Sequence, residues 1–478
     1  MSFATSSLPS RLLGWCDVYG EAELYRAAIR VYTKPLFQWR KALCTSSDGK
    51  TLYDFAARGL RSLDTLHRSL LRREFSFRPS VALHYNFNGK HRTLYIAPWE
   101  ERIVDLLLYR ALNSRLHSWF SPNSYAYRER NFGLDRCQGQ IARLLRSGRS
   151  PLYLIKRDIA DYFATVNHEK LLSRLRLLVN ANDYLFQLLE QRVRFVYEED
   201  GELQTAKVGI PFGTAIACLF ANIYLTDLDR KIESIAGVSY FRYADDILIA
   251  SPNRDCAAHA GELLESTLSE LHLKLKDCHR ADLAIACREV PADPQFTAAA
   301  DFRHLGLLFR AGGEVALARD KLRKIQNIFR FAFRRGHRRW KRPPDPRGRA
   351  QVLVVIAQET IEQGLRNVAI LDYYLKHVND ERQLRELDRW LAEEVLSLVF
   401  GGHKKGHFRR ISFQTLRAMG LPSLLHRQRL IRRGCVESPF FIWQRERSIR
   451  AFRGTVARPR APRAAFSSVP EAAAGENP

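Results

Sequence analysis

An α+β fold is what this sequence predicts, because three kinds of segment follow one another along its 478 residues. Amphipathic helical patterns fill the first part and recur in "PWEERIVDLLLYRALNSRLHSWF". Short apolar runs of strand length follow, among them "PLYLIKRDI" and the pair "VSYFR" and "ILIAS". Beyond residue 320 the chain turns strongly basic and reads as helix again. Helix-period and strand-length patterns in one chain define that class.

Taken in order, residues 1–82 read as a helical extension, for "LYDFAARGLRSLDTLHRSLLRREF" is amphipathic and basic and the pattern ends at Pro79. The segment 83–98, "LHYNFNGKHRTLYIAP", alternates and carries the turn signal Asn88-Gly89, so it predicts a hairpin. Pro98 suits the first turn of the helix that follows, and Glu100 and Glu101 suit the positive end of its dipole. Residues 151–159 predict a strand ending at acidic residues, with the next helix starting near Asn167. "VSYFR" and "ILIAS" predict two strands with "YADD" at the bend. Further on, "KLRKIQNIFRFAFRRGHRRWKRPPDP" is basic, and "ETIEQGLRNVAILDYYLKHVNDERQLRELDRWLAEEVLSLVF" predicts two or more helices. Residues 401–450 are basic again, and the closing stretch, rich in Ala, Pro, Ser and Gly, predicts a disordered tail.

Composition narrows the partners. An apolar content of 46% argues against general disorder, and 76 Lys and Arg against 51 Asp and Glu leave a formal charge of +25. Such an excess calls for a polyanion, nucleic acid first and a membrane surface second. No stretch approaches 18 uncharged apolar residues and the N-terminus lacks a basic start followed by an apolar run, so the expectation is a cytoplasmic protein with no membrane partner. The eight cysteines, at 16, 44, 137, 218, 256, 278, 287 and 435, never form a CxxC pair, which argues against a zinc ribbon and a disulfide scaffold.

The chemistry centres on "FRYADDILIA", where Asp245 and Asp246 sit side by side between apolar flanks. Two adjacent carboxylates repel, and burying them demands compensating positive charge. Taken alone, an Asp-Asp pair reads as a solvated turn. The flanking strands and a third strand-end carboxylate, Asp158 in "LYLIKRD", support another reading. Neighbouring strands would bring Asp158 and Asp245 together around two divalent ions about 4 Å apart, the arrangement that activates a 3′-hydroxyl and stabilises a pyrophosphate leaving group.

"YADD" between strands resembles the catalytic hairpin of reverse transcriptases, and the neighbouring motifs resemble that family in order. "KRDIADYFATVNHEKLL" is similar to its first catalytic motif, "GIPFGTAIACLFANIYLTDLD" to the motif shaping the nucleotide and template pocket, and "FRHLGLLF" to the primer-grip hairpin. "GKHRTLYIAPWEERIVDLLLYRAL" and "SPNSYAYRERNFG" resemble finger segments of group II intron and related bacterial enzymes, and "LRELDRWLAEEV" a thumb helix. The resemblance runs from about 85 to 400 and implies a right-hand polymerase fold. Its implied parts are an N-terminal extension (1–82), fingers (83–157), a palm with inserted finger elements (158–310), a helical thumb (311–400), a basic RNA-binding region (401–455) and a disordered tail (456–478).

Carried onto these residues, the resemblance implies a metal-dependent, RNA-directed DNA polymerase. Asp158, Asp245 and Asp246 would be catalytic and would hold two Mg²⁺ ions, with Mn²⁺ as a substitute and the backbone carbonyl of Ile159 assisting. Phe163 would lie under the sugar and exclude a 2′-hydroxyl; Arg128, Lys90 and Arg92 would clamp the triphosphate, with Lys156 facing the same cleft. Gly213, like Gly209, would let backbone approach a base or template phosphate, Asn222 would direct its amide toward the sugar, and Tyr243 would pack beside the catalytic turn. Implied partners are a structured non-coding RNA or RNA template, a DNA product and dNTPs; self-association into a homo-oligomer stays open.

Several positions depart from the family pattern. Phe212 stands where many members have Gln, Ala217-Cys218 replaces a common Ser-Pro, and no Asn-x-x-Lys-Thr ending follows the catalytic hairpin, leaving Lys276, His279 and Arg280 as substitutes for a general acid. The paired Cys and His of an intron endonuclease are missing, as is an RNase H-like carboxylate set. These departures resemble domesticated reverse transcriptases, antiphage-defence types in particular, working with a dedicated non-coding RNA. An RNA-binding maturase or scaffold, and protein-primed or template-independent synthesis, remain alternatives.

Overall fold

The computed structural model describes residues 11–35, 38–87, 90–128, 132–148, 151–277, 280–286, 292–362 and 374–436. Its fold is a mixed α+β arrangement, as the patterns above require. Among the described residues the sheets are carried by β1 (Ser80–Phe87), β2 (Lys90–Ile96), β3 (Leu152–Asp158), β4 (Val196–Glu199), β5 (Glu202–Thr205), β6 (Ser239–Tyr243), β7 (Asp246–Ser251), β8 (Ala281–Ile285), β9 (Thr297–Ala299), β10 (Asp301–His304), β11 (Leu307–Arg310) and β12 (Val315–Leu317).

The central sheet has the order β6-β7-β3-β8-β9. Its central strands β3 and β7 are buried along most of their length because both faces are covered. Side chains alternate between the two faces, and the burial follows suit. Ile155, Ile247 and Ile249 enter one core with Leu107, Leu108 and Phe220, whereas Leu152, Leu154, Leu248 and Ala250 enter a second core with Cys137, Phe302, Leu307 and Phe329. Each of these fully buried leucine and isoleucine side chains contributes about 1.5–3 kcal/mol to the fold.

Helix Ala215–Glu233 supplies much of the first core, and its sequence shows why. Thr214 caps the N-terminus by accepting from the Ala217 N–H, and apolar residues on every side leave almost no solvent face, the signature of a helix buried in a core. On the other side of the sheet, β10-β11-β12 form a small antiparallel sheet, followed by helix Arg319–Arg335. That helix buries Ile325, Phe329 and Phe333 and turns its arginines outward. Helices Pro346–Glu362, Glu381–Phe400, Phe413–Ala418 and Leu424–Arg432 pack in the same half, and residues 363–373 lie outside the described residues.

The expected hairpin is β1 with β2, paired from Val81 opposite Ile96 to Phe87 opposite Lys90, its Asn88-Gly89 tip lying outside the described residues. Pro98 is the N-cap of helix Trp99–Arg115, and Asn167 the N-cap of helix His168–Arg176. The sequence reading overlooked β4 and β5. Their connection, Asp200-Gly201, has positive φ at both residues (52° and 86°), the geometry of a type I′ turn. β4 joins β1 in parallel, making the sheet β2-β1-β4-β5. The tail expected to be disordered lies outside the described residues.

Candidate active site

Tyr243 and Asp246 are cross-strand partners in β6 and β7, so the chain reverses through two residues, Ala244 and Asp245. Ala244 has φ 59°, the left-handed value that the first central residue of a type II′ turn needs and that alanine adopts only under strain. Two bonds hold it there: Arg242 Nη1 donates to the Ala244 carbonyl (3.2 Å), and the Ile159 N–H donates to the Asp245 carbonyl (3.2 Å). Arg242 is itself fixed. Its guanidinium is fully buried, forms a fork with Asp229 (2.7 Å on each arm), and reaches Ser124 Oγ (2.8 Å) and Asn222 Oδ1 (3.3 Å).

β3 runs antiparallel to β7 with Asp158 directly opposite Asp246. Partners in such a pair have Cα atoms roughly 4.5–5.5 Å apart. Lys156, two residues back in β3, shares their face. The third carboxylate, Asp245, hangs from the turn, and Lys276 ties it to the first: its ammonium pairs with Asp158 and lies 3.7 Å from Asp245 Oδ2. The Lys276 N–H also donates to the Asp158 carbonyl (2.8 Å), fixing the loop beside β3. Burial alone would lower the Lys276 pKa, but its bond to Asp158 and the charges of Asp158 and Asp245 raise it overall.

Electrostatics at this end of the sheet favour more positive charge. Burial and the charge of Asp158 push the Asp245 pKa up. Asp246 is pushed further, to about 7, chiefly by burial, with Lys156 opposing the shift. Asp246 Oδ1 is buried without a hydrogen-bond partner, 3.4 Å from Nδ1 of His304. The His304 ring is enclosed, neither of its nitrogens has a partner, and burial drives its pKa down to about 3, so it is neutral.

Three carboxylates, one with an orphaned oxygen, form the all-oxygen donor set that hard divalent cations take. The residues present therefore fit a divalent metal by chemistry. Among the described residues no group of three His, Cys, Asp or Glu stands in a ready-made metal-holding arrangement. Lys276 lies between two of the carboxylates, and Asp246 faces His304.

The remaining expected residues fall into two groups. Phe163, Phe212 and Arg92 gather together: the Phe163 and Phe212 ring centroids are 5.1 Å apart, and the Arg92 guanidinium lies 5.7 Å from that of Phe212. Gly213 is exposed at φ 106°, and a Cβ there would meet Leu94 at 2.9 Å. At Gly209, φ 87°, a Cβ would meet the Ala164 carbonyl at 3.0 Å, so the close approaches these glycines allow are to protein. Tyr243 is half-buried beside the turn. Ile159 is fully buried, and its bridge to Leu275 uses the Asp158 carbonyl and the Ala160 N–H, not the Ile159 carbonyl.

Asn222 and Arg128 are bound elsewhere. Asn222 is buried and donates to the Ala126 carbonyl (2.9 Å). Arg128 donates to the carbonyls of Ser121, Ser124 (3.3 Å) and His117 (2.6 Å), and its guanidinium lies 4.0 Å from the Phe132 ring centroid. The side chain of Lys90 and all of His279 lie outside the described residues. Arg280 pairs with Glu265 (2.7 Å).

Sequence reasoning missed His304, Arg242 and Tyr127, whose ring meets Phe163 edge-on with centroids 6.1 Å apart. Each lies inside a motif quoted above, yet spacing alone does not reveal that the His304 ring turns toward Asp246 or that Arg242 braces the turn.

Residues 85–278 match the family model for reverse transcriptase (RNA-dependent DNA polymerase). That span holds Asp158, Asp245, Asp246 and Lys276, so the chain carries a reverse-transcriptase-like domain that contains these residues. Among curated proteins, the chain is 25% identical over 238 residues to protein YkfC of Escherichia coli K12, covering 48% of this chain and 62% of that one. It is 27% identical over 124 residues to the Retron Ec83 reverse transcriptase of Escherichia coli, covering 25% and 39%. It is 24% identical over 174 residues to an uncharacterized 91 kDa protein in a cob intron of Schizosaccharomyces pombe, covering 36% and 21%. These matches thus span between about a fifth and three-fifths of the relatives' own lengths. Among solved structures, apo telomerase of Candida tropicalis aligns with 80% of this chain and 68% of its own at 9% identity, with a TM-score of 0.43, too low to carry any argument. No helix among the described residues is long and apolar enough to cross a membrane.

Proposed function

We propose that the chain is an RNA-directed DNA polymerase that extends a primer from deoxynucleoside triphosphates, with the central sheet as the palm of a right-hand fold, β1 and β2 in the fingers and helix Arg319–Arg335 opening the thumb. The observation that carries this reading is the register that sets Asp158 opposite Asp246 and beside the Asp245 turn, inside the reverse-transcriptase-like span.

Asp158, Asp245 and Asp246 would hold the divalent cations, Mg²⁺ or Mn²⁺, which when bound activate the 3′-hydroxyl and offset charge on the leaving pyrophosphate. Phe163 meets the incoming sugar with an apolar ring that offers a 2′-hydroxyl no hydrogen-bond partner. Arg92, exposed on β2, brings a guanidinium to the triphosphate, and Lys90 shares its strand. Lys276 carries its ammonium beside the carboxylates, within reach of the pyrophosphate. Arg128 and Asn222 act from behind by holding the 117–126 segment in shape. Exposed Lys324, Arg334, Arg335 and Arg338, with exposed Phe331 among them, give the template a basic and aromatic surface.

The test is incorporation of labelled dNTPs on a primed RNA template with Mg²⁺, wild type against Asp158→Ala. Equal extension by both would end this reading. The setting we propose is bacterial antiviral defence with a dedicated non-coding RNA, supported by the departures at Phe212 and Ala217-Cys218; phage plating on cells carrying wild type or D245A/D246A tests it, and equal protection would rule out a polymerase-dependent role. A second reading, an RNA-binding maturase or scaffold, is favoured by the +25 charge and the basic stretches beyond residue 320. It requires RNA binding and biological activity to survive loss of Asp245.

A further inference from the structure

The side chains around Phe163 do more than pack. Tyr127 (φ 59°), Asp161 (φ 40°) and Ala244 (φ 59°) hold left-handed backbone near the site although none is glycine. Such strain persists only where the surroundings over-determine it, and it gathers where a side chain must be aimed. Ala244 belongs to the carboxylate turn. The other two bear on Phe163.

Asp161 starts the four-residue helix Tyr162–Thr165 that carries Phe163. One turn of helix, half-exposed, is a weak mount for a ring that must resist displacement. Tyr127 meets the Phe163 ring edge-on at 90°, and Phe212 meets it at 70° with centroids 5.1 Å apart. Both are favourable edge-to-face pairings. Each partner is in turn anchored. The Tyr127 carbonyl accepts from the Tyr109 hydroxyl (2.8 Å), and Asn222 holds the preceding carbonyl. The loop carrying Phe212 is bonded on one side to Phe163 itself, through the Ile210 N–H and the Phe163 carbonyl (2.8 Å). On the other side the Phe212 carbonyl accepts from the Tyr95 N–H in β2 (2.9 Å). Gly209 permits this seam, since any side chain there would press on the Phe163 and Ala164 carbonyls at 3.1 and 3.0 Å.

We infer that Tyr127 and Phe212 form an aromatic brace that fixes the Phe163 ring and thereby sets how strictly the enzyme rejects ribonucleotides. The inference rests on the polymerase reading above. A ring excludes an added hydroxyl only if it cannot swing aside, so selectivity belongs to the brace as much as to Phe163. Phe212 thereby gains a role in place of the amide contacts of the glutamine common at its position. Both brace residues are positioning residues that act through Phe163.

The experiment measures kcat/KM for a dNTP and its matching rNTP on one RNA template, in wild type and in Phe163→Ala, Phe212→Leu and Tyr127→Leu. Leucine keeps apolar bulk and removes the ring edge. The expected result is a gain: kcat/KM for the rNTP rises relative to that for the dNTP on the order of tenfold in each brace variant, the scale on which small changes in an apolar pocket act. Phe163→Ala should relax selectivity further, and adding either brace change to it should have no additional effect. Misfolding lowers both substrates together and cannot mimic that gain. If Phe163→Ala relaxes selectivity while both brace variants keep the wild-type ratio, the brace is refuted and the polymerase reading stands. If wild type incorporates neither nucleotide, the polymerase reading itself fails and takes the brace with it.

Discussion

Asp246 is ionised at a cost, because its pKa of about 7 in the folded protein lies far above the ordinary aspartate value of 3.8. The folded state therefore holds its proton more tightly than the unfolded chain does. Metal-free stability should fall as pH rises from about 4 to about 7, with the whole penalty present above 7. Asp246→Asn removes that penalty. Its melting temperature without divalent ions should exceed wild type by several degrees at pH 8 and by little at pH 4, and a gap independent of pH would show that Asp246 does not titrate as described. Bound metal would reverse the preference, so Mg²⁺ should raise the wild-type melting temperature more than that of Asp246→Asn. The carboxylates themselves were legible in the sequence, since an acidic pair between apolar strands demands compensation. Lys276 and His304 were harder to read. Spacing does not separate Lys276 from His279 and Arg280 beside it, and His304 reads as one more residue of a strand, because contacts across sheets leave no local pattern.

Among the elements, the β6-β7 hairpin depends most on one hidden ion pair. Arg242 and Asp229 are both buried, and Arg242 also bonds Ser124, Asn222 and the strained Ala244. Arg242→Met leaves Asp229 charged and unpaired in the core, which should cost about 3–5 kcal/mol. Denaturant unfolding measures this, and a loss below about 1 kcal/mol would contradict the bracing role. The seam between Gly209 and the Phe163 segment makes a second prediction. Gly209→Ala places a Cβ 3.0 Å from a carbonyl at φ 87°, so it should destabilise by about 1–3 kcal/mol. Elements with strong local signals were readable from sequence: the β1-β2 hairpin, the strands around "YADD" and the helix capped by Asn167. β4 and β5 were overlooked although Asp200-Gly201 is a strong turn signal, for their exposed, polar residues lack the apolar alternation that marks a strand.

On the scale of the whole molecule, charge and architecture point the same way. The +25 excess was plain from composition, but its distribution was not. Helix Arg319–Arg335 shows how the fold sorts it, with Phe329 and Phe333 inward and Arg334 and Arg335 outward. Replacing Lys324, Arg334 and Arg335 by Glu should weaken RNA binding and lower the slope of log K against log salt by about 2, from a contribution of about 0.7 per phosphate contact on a single strand. An unchanged slope would place the RNA elsewhere.

The most direct test of the central claim is template-directed extension of a labelled primer by the purified full chain, with Mg²⁺ and dNTPs, comparing wild type with Asp158→Ala and Asp245→Ala. Wild type should make RNA-templated DNA, and either variant should lose about 10²–10³-fold or more, the scale of several kcal/mol of metal-assisted charge stabilisation. Equal extension by all three, or none by wild type alongside tight RNA binding, would contradict that claim and leave the RNA scaffold as the better account.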